Sequence, residues 1–218
     1  MPLKVVLVED DLLYRDLLRI GLTQSRRVEI AGMFQDAESA LARVPTLNAD
    51  VALLDIVLRN SFNGIQLGRL LRCHMPQLGV VLLSNHRIPA YLSAIPRENL
   101  GGWSYLLKSS VENVDALVRA VEGSAAGHVV VDEALFPAMP PRGTGRLQAL
   151  TPRQLEILRL MALGFTNQAI ADQMALSRKT VENQINHLFQ ELQVDPADTT
   201  VQARVQAVLI YLQESGLL

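Results

Sequence analysis

The sequence predicts an α/β fold, a doubly wound five-stranded parallel sheet, followed by an all-α helix-turn-helix domain. Three observations predict it. Short apolar runs alternate with amphipathic, helix-length segments from Leu3 to Val121. Several of those runs end abruptly in a charged or hydroxyl side chain. Beyond a stretch of Pro/Gly punctuation, only helical spacing continues. The expected divisions are 1–122 for the α/β domain, 123–147 for a linker and 148–218 for the helical domain.

Val5–Val8 reads as the first strand, and Asp11 stands where it can cap a helix running to Leu22, with Leu13, Leu17 and Ile20 at helical spacing. Val28–Met33 is the second strand, followed by a short helix over Asp36–Val44 that Pro45 stops. Val51–Leu54 is an uninterrupted apolar run, as expected of a strand buried on both faces of a parallel sheet. A helix over Ile65–Cys73, a strand at Val80–Leu83 and another at Tyr105–Leu107 follow. Ser109 and Glu112 stand at capping-box spacing before a helix through Val121. Five such βα units, joined by right-handed crossovers, make a doubly wound sheet.

Ala138–Gly145 is the punctuation, and His128–Phe136 before it is expected to pack on the first domain. Thr151-Pro152 then opens a helix carrying Leu155, Leu158 and Met161, which Gly164 ends. Thr166–Met174 is the next helix, and Ser177 or Arg178 starts a longer one through Leu192. About Val201–Gln213 the last helix carries Val205, Val208, Leu209 and Leu212.

The 218 residues carry a formal charge of -2, which gives no general attraction to nucleic acid or anionic membrane. No apolar run approaches the roughly 18 residues of a membrane span, and no charged segment precedes an apolar signal core. With a single cysteine, Cys73, no internal disulfide forms, so a cytoplasmic location is expected.

In open α/β sheets ligands bind beyond the carboxyl ends of the strands. Glu9, Asp10 and Asp11 follow the first strand and Asp55 ends the third, so neighbouring strands deliver carboxylates to one edge. Such a cluster suits a hard divalent cation, Mg²⁺, and Asp55 is placed to act as metal ligand and as nucleophile toward phosphorus. Ser84 adds a hydroxyl and Lys108 an ammonium for a phosphoryl oxygen.

Glu9-Asp10, Asp55, Ser84 and Lys108 at successive strand ends resemble the receiver domain of bacterial response regulators. The resemblance covers about residues 3–122. It implies that Asp55 accepts a phosphoryl group from a sensor histidine kinase or small phosphodonor. It also implies that Asp10 binds Mg²⁺ directly, Glu9 through water and Val57 through its carbonyl, with Ser84 and Tyr105 as the switch pair. The sequence departs from the family pattern in the loop Leu58–Gly64, in Pro89 and Pro96 where the fourth helix is expected, and in Ser109 where a proline is common.

In the second half, Leu150–Gln154, Gly164–Ala171 and Ser177–Asn183 resemble the NarL/LuxR-type DNA-binding domain over about residues 148–218. That resemblance places the third helix of the domain in the major groove of double-stranded DNA. Glu182, Asn183 and Asn186 then face base edges, while Arg178, Lys179, Thr180, Thr166 and Asn167 are set for backbone phosphates. From Leu147 to Leu218 there are five basic residues (Arg153, Arg159, Arg178, Lys179, Arg204) and seven acidic ones, so weak monomeric binding and dependence on dimers are expected. The last helix resembles the family's dimerisation helix.

The expectation is a response regulator of a two-component system, in which phosphorylation at Asp55 controls sequence-specific DNA binding and transcription. It is not an enzyme beyond its own phosphorylation and dephosphorylation. Its expected partners are a sensor histidine kinase, DNA, a second copy of the chain when active and RNA polymerase as a further candidate, with no membrane. The alternative is a phosphorylation-independent DNA-binding or adaptor protein whose receiver is a scaffold. A phosphatase on the same aspartate would call for a second Asp at position 57, which is Val57.

Overall fold

The computed structural model describes residues 1–58, 62–87, 100–111, 114–136, 145–195 and 202–218. Most of the expected linker punctuation, Pro89 and Pro96, Arg59–Ser61, Glu112 and Val201 lie outside the described residues.

The strands are β1 (Leu3–Val8), β2 (Val28–Phe34), β3 (Val51–Asp55), β4 (Gly79–Ser84), β5 (Trp103–Leu107) and β6 (Val130–Val131), all parallel, in the order β2-β1-β3-β4-β5-β6. The helices of this half are α1 (Leu12–Gln24), α2 (Ala37–Arg43), α3 (Gly64–His74) and α4 (Val114–Ala125). Side-chain alternation divides the strands between two apolar layers. Val5, Leu7, Leu53, Val81, Leu83 and Leu106 pack with Leu18, Leu22, Leu117 and Val121 of α1 and α4. Val6, Ala52, Leu54, Val80, Leu82 and Tyr105 face α2 and α3. All residues of β3, β4 and β5 are buried, which explains their near-continuous apolar sequence.

The sheet has six strands rather than the expected five. Left bare, the outer edge of β5 would present unpaired backbone groups. Val130 and Val131 cover it opposite Ser104 and Tyr105, the Asp132 amide donates to Tyr105 O at 2.9 Å, and Asp132 Oδ2 accepts from the Leu107 amide at 2.8 Å. A two-residue strand is too short for periodicity to reveal.

A second correction concerns α1. Asp11 caps it, accepting from the Tyr14 amide at 3.0 Å. Its buried residues, however, are Leu18 and Leu22, whereas Leu13, Leu17 and Ile20 are 72%, 56% and 43% exposed. The helix carries two apolar stripes, and the sheet takes only one. Before α4, Lys108–Ser110 form a turn of 3₁₀ helix, and the expected capping pair of Ser109 with Glu112 involves a residue outside those described.

The helical half comprises α5 (Pro152–Ala162), α6 (Asn167–Gln173), α7 (Arg178–Glu191) and α8 (Ala203–Glu214). Thr151 and Gln154 form a capping box at α5, and Gly164 turns the chain after it with φ +82°. This half packs on the β6 edge. A Cβ at Gly164 would sit 2.9 Å from Val130 Cγ2. The Arg119 guanidinium lies 4.4 Å from the Phe165 ring centre, Phe136 stacks on Tyr211 at 5.3 Å, and Arg159 pairs with Glu133. Val205, Val208, Leu209 and Leu212 of α8 are buried in the chain's own core.

Candidate functional site

The strand order reverses direction around β1 and β3, which pair side by side, and this is where open α/β sheets form their crevice. Glu9 leaves β1 as a buried side chain, 1% exposed, and Asp55 ends β3 at 3%. Asn63 and Gln66 form the capping box that starts α3 directly beside Asp55. The backbone is so close there that a Cβ at Gly64 would lie 2.1 Å from Asp55 O, so only glycine fits.

Glu9, Asp10 and Asp55 each place a carboxylate oxygen within 4.8 Å of the others. Lys108 comes in from the end of β5, with Nζ 2.8 Å from Glu9 Oε2 and 2.8 Å from Asp55 Oδ2. Asp55 Oδ1 accepts from the Val57 amide at 3.0 Å, and Glu9 Oε1 from the Asp11 amide at 3.2 Å. Burial raises the Glu9 carboxyl above its ordinary pKa; the Lys108 hydrogen bond opposes this and the Asp55 charge adds to it. For Lys108, burial would depress the ammonium, but the hydrogen bonds to Asp55 and Glu9 outweigh it and hold the pKa above its ordinary value. One ammonium thus holds two buried carboxylates, with Asp10 alongside.

Tyr14 is a member of this site that sequence reasoning missed. Its ring centre lies 4.8 Å from Lys108 Nζ and its hydroxyl 3.4 Å from Lys108 O. Burial, then the charges of Glu9 and Asp55, raise its phenol pKa. The available signal was its place three residues after the cap Asp11, which turns it toward the acidic edge.

Ser84 and Tyr105, both buried, meet at one backbone group. The Ser84 hydroxyl donates to His86 O at 3.0 Å and accepts from the His86 amide at 3.1 Å, while the Tyr105 hydroxyl donates to the same carbonyl at 2.6 Å. The pair is therefore linked through the chain just after β4.

In the helical half, Val181, Ile185 and Leu188 turn inward, and Arg178, Lys179, Asn183 and Asn186 are exposed. Glu182 is partly exposed and pairs with Arg178, Nε to Oε1 2.9 Å. Besides Arg178, three more of the residues expected at phosphates already have local partners. Thr166 Oγ1 caps α6 by accepting from the Ala169 amide, Asn167 Oδ1 accepts from Arg204, and the Thr180 hydroxyl bonds to that of Ser177. No helix among the described residues is long and apolar enough to cross a membrane.

Comparison with known proteins bears on both halves. The response regulator receiver domain model matches residues 5–122, and the model of bacterial regulatory proteins of the luxR family matches residues 148–208. The DNA-binding transcriptional activator DevR/DosR of Mycobacterium tuberculosis is 33% identical over 196 residues, covering 87% of this chain and 88% of the relative. The transcriptional regulatory protein DegU of Brevibacillus brevis is 28% identical over 216 residues, covering 88% and 89%. Among solved structures, the Salmonella typhimurium RcsB response regulator is 25% identical with a TM-score of 0.51, over 97% of this chain and 98% of that one. An RcsB–DNA complex is also 25% identical, at a TM-score of 0.54, covering 98% and 99%.

Proposed function

Because the chain belongs to the bacterial response regulators that join a receiver domain to a luxR-family DNA-binding domain, we propose that phosphoryl transfer to Asp55 controls its binding to DNA and so transcription. The observation that carries this is the Asp55 carboxylate at the end of β3, held by the Lys108 ammonium at 2.8 Å beside Glu9 and Asp10.

In the proposed step a carboxylate oxygen of Asp55 attacks the phosphorus of a kinase phosphohistidine. The P–O bond forms, the P–N bond breaks, and the imidazole leaves with a proton. Glu9, Asp10, Asp55 and the Val57 carbonyl would hold Mg²⁺, a hard cation suited to an all-oxygen donor set. Bound there, it supplies charge neutralisation for the carboxylates and the phosphoryl oxygens. The phosphoryl group carries about -1.5 to -2 of charge at pH 7, in place of the single charge of the free carboxylate. Lys108 shifts from Asp55 to the phosphoryl group, and the Ser84 hydroxyl leaves His86 O for a phosphoryl oxygen. Tyr105 then becomes the remaining side-chain partner of that carbonyl, so the change reaches the chain after β4.

On the DNA side, α7 enters the major groove, with Asn183 and Asn186 at base edges and Lys179, Thr180 and Thr166 toward phosphates. Two copies would bind half-sites roughly 34 Å apart. The test is intact mass after incubation with acetyl phosphate and Mg²⁺, alongside DNA affinity, for the native protein and Asp55→Ala. A phosphoryl adduct in the native protein alone, accompanied by tighter DNA binding, is expected. Equal mass and equal affinity in the two proteins would overturn the reading.

A further inference from the structure

We propose that Arg178 and Glu182 act together as one reader of a G·C base pair, Arg178 on the guanine and Glu182 on the cytosine. This rests on the DNA-binding reading above and goes beyond it by naming the base pair and the residues that select it.

The observation is the exposed bridge on the first turns of α7, Arg178 Nε to Glu182 Oε1 at 2.9 Å, with the side chains 65% and 34% exposed. A helix of this class presents its N-terminal residues to base edges, and Arg178 is the first residue after the cap Ser177. The bridge engages only Nε and Oε1. Arg178 therefore keeps both Nη groups as a donor fork, matched to guanine O6 and N7, and Glu182 keeps Oε2 to accept from cytosine N4. Across a G·C pair those groups lie side by side in the major groove. The i,i+4 contact orients the guanidinium before DNA arrives, so less side-chain freedom is lost on binding.

Charge favours this over a phosphate role. Of the basic residues from Leu147 onward, Arg159 is paired with Glu133 and Glu156, and Arg204 donates inward to Phe165 O and Asn167. Arg153, Arg178 and Lys179 remain at the surface. A carboxylate beside one of these three repels the phosphate backbone, which general affinity depends on. Glu182 is consistent with DNA binding where its charge is matched by a base donor and by Arg178. The geometry thus moves Arg178 from the phosphate-contact role that resemblance implied to a base-contact role.

The test uses the full-length protein treated with acetyl phosphate and Mg²⁺, selecting duplexes from a randomised library, for the native chain, Arg178→Ala, Glu182→Gln and the double variant. The native protein should select an invariant G·C pair in each half-site. Each single variant should lose on the order of tenfold discrimination at that same pair, and the double variant no more than either. Three outcomes overturn the proposal while leaving DNA binding standing. One is relaxation of different pairs by the two variants. Another is intact preference in both. The third is an Arg178→Ala effect that is uniform across sequences and flattens the salt dependence, as loss of a phosphate contact would. Selection of no sequence by the native protein would overturn both this proposal and the DNA-binding reading.

Discussion

At the scale of the residue, Lys108 determines whether the carboxylate site can exist. Glu9 and Asp55 are almost fully buried, and the ammonium 2.8 Å from each compensates their charge. Removing one partner of a buried ionic cluster leaves uncompensated charge, which costs about 3 kcal/mol or more. Lys108→Ala should lower the unfolding free energy by that order in metal-free buffer, and Mg²⁺ should restore part of the loss by taking over the neutralisation. Urea denaturation with and without Mg²⁺ measures both effects; a variant as stable as the native protein, or one indifferent to Mg²⁺, would show that Lys108 does not serve this role. Glu9, Asp55, Ser84 and Lys108 were all legible as strand-end residues. Tyr14 was legible only as a first-turn residue beside the cap Asp11, since that place does not say that its ring covers Lys108.

Among the elements, α1 shows where helical periodicity stops being informative. Leu13, Leu17 and Ile20 satisfy one apolar stripe, and Leu18 and Leu22 belong to another. Spacing does not rank the two. The sheet does, because β1, β3 and β4 present Leu7, Leu53 and Val81 to the second stripe. Truncating Leu18 should therefore cost about 2–5 kcal/mol, and truncating Leu13 should stay within about 0.5 kcal/mol. Thermal unfolding of Leu18→Ala and Leu13→Ala decides it, and a reversed order would put the Leu13 stripe against the sheet instead. In α7 the same periodicity was sufficient, because Val181, Ile185 and Leu188 form its one inward stripe.

For the whole molecule, the informative feature is the seam between the halves. β6, α4 and the chain to Phe136 meet Gly164, Phe165 and Tyr211, while the exposed residues of α7 stay outside that contact. Within the seam, Arg119 of α4 lies on Phe165, which adjoins Thr166 and Asn167. His128 sits beside it, its pKa lowered from 6.5 to about 4 by burial and then by the Arg204 charge. Below about pH 6.5 the unfolded chain binds a proton that the folded chain refuses, so stability falls as pH drops toward about 4 and levels off beneath. Unfolding midpoints between about pH 6.5 and 5, where few carboxylates titrate, should fall in the native protein. His128→Gln should flatten that slope, and parallel slopes in the two proteins would rule His128 out as the source.

By itself, the sequence determined the order of the two domains, the strand runs of the parallel sheet and the chemistry at each strand end. These are local properties, written in spacing four to twelve residues long. Only the tertiary structure decided that Glu9, Asp55 and Lys108 share one charge cluster, that Tyr14 lies beneath it, that a sixth strand seals β5 and which stripe of α1 is buried. Each of these depends on strands and helices far apart in the chain being brought side by side, and the energies that select among them arise only when buried charge, bare strand edges and competing apolar faces meet in the packed molecule.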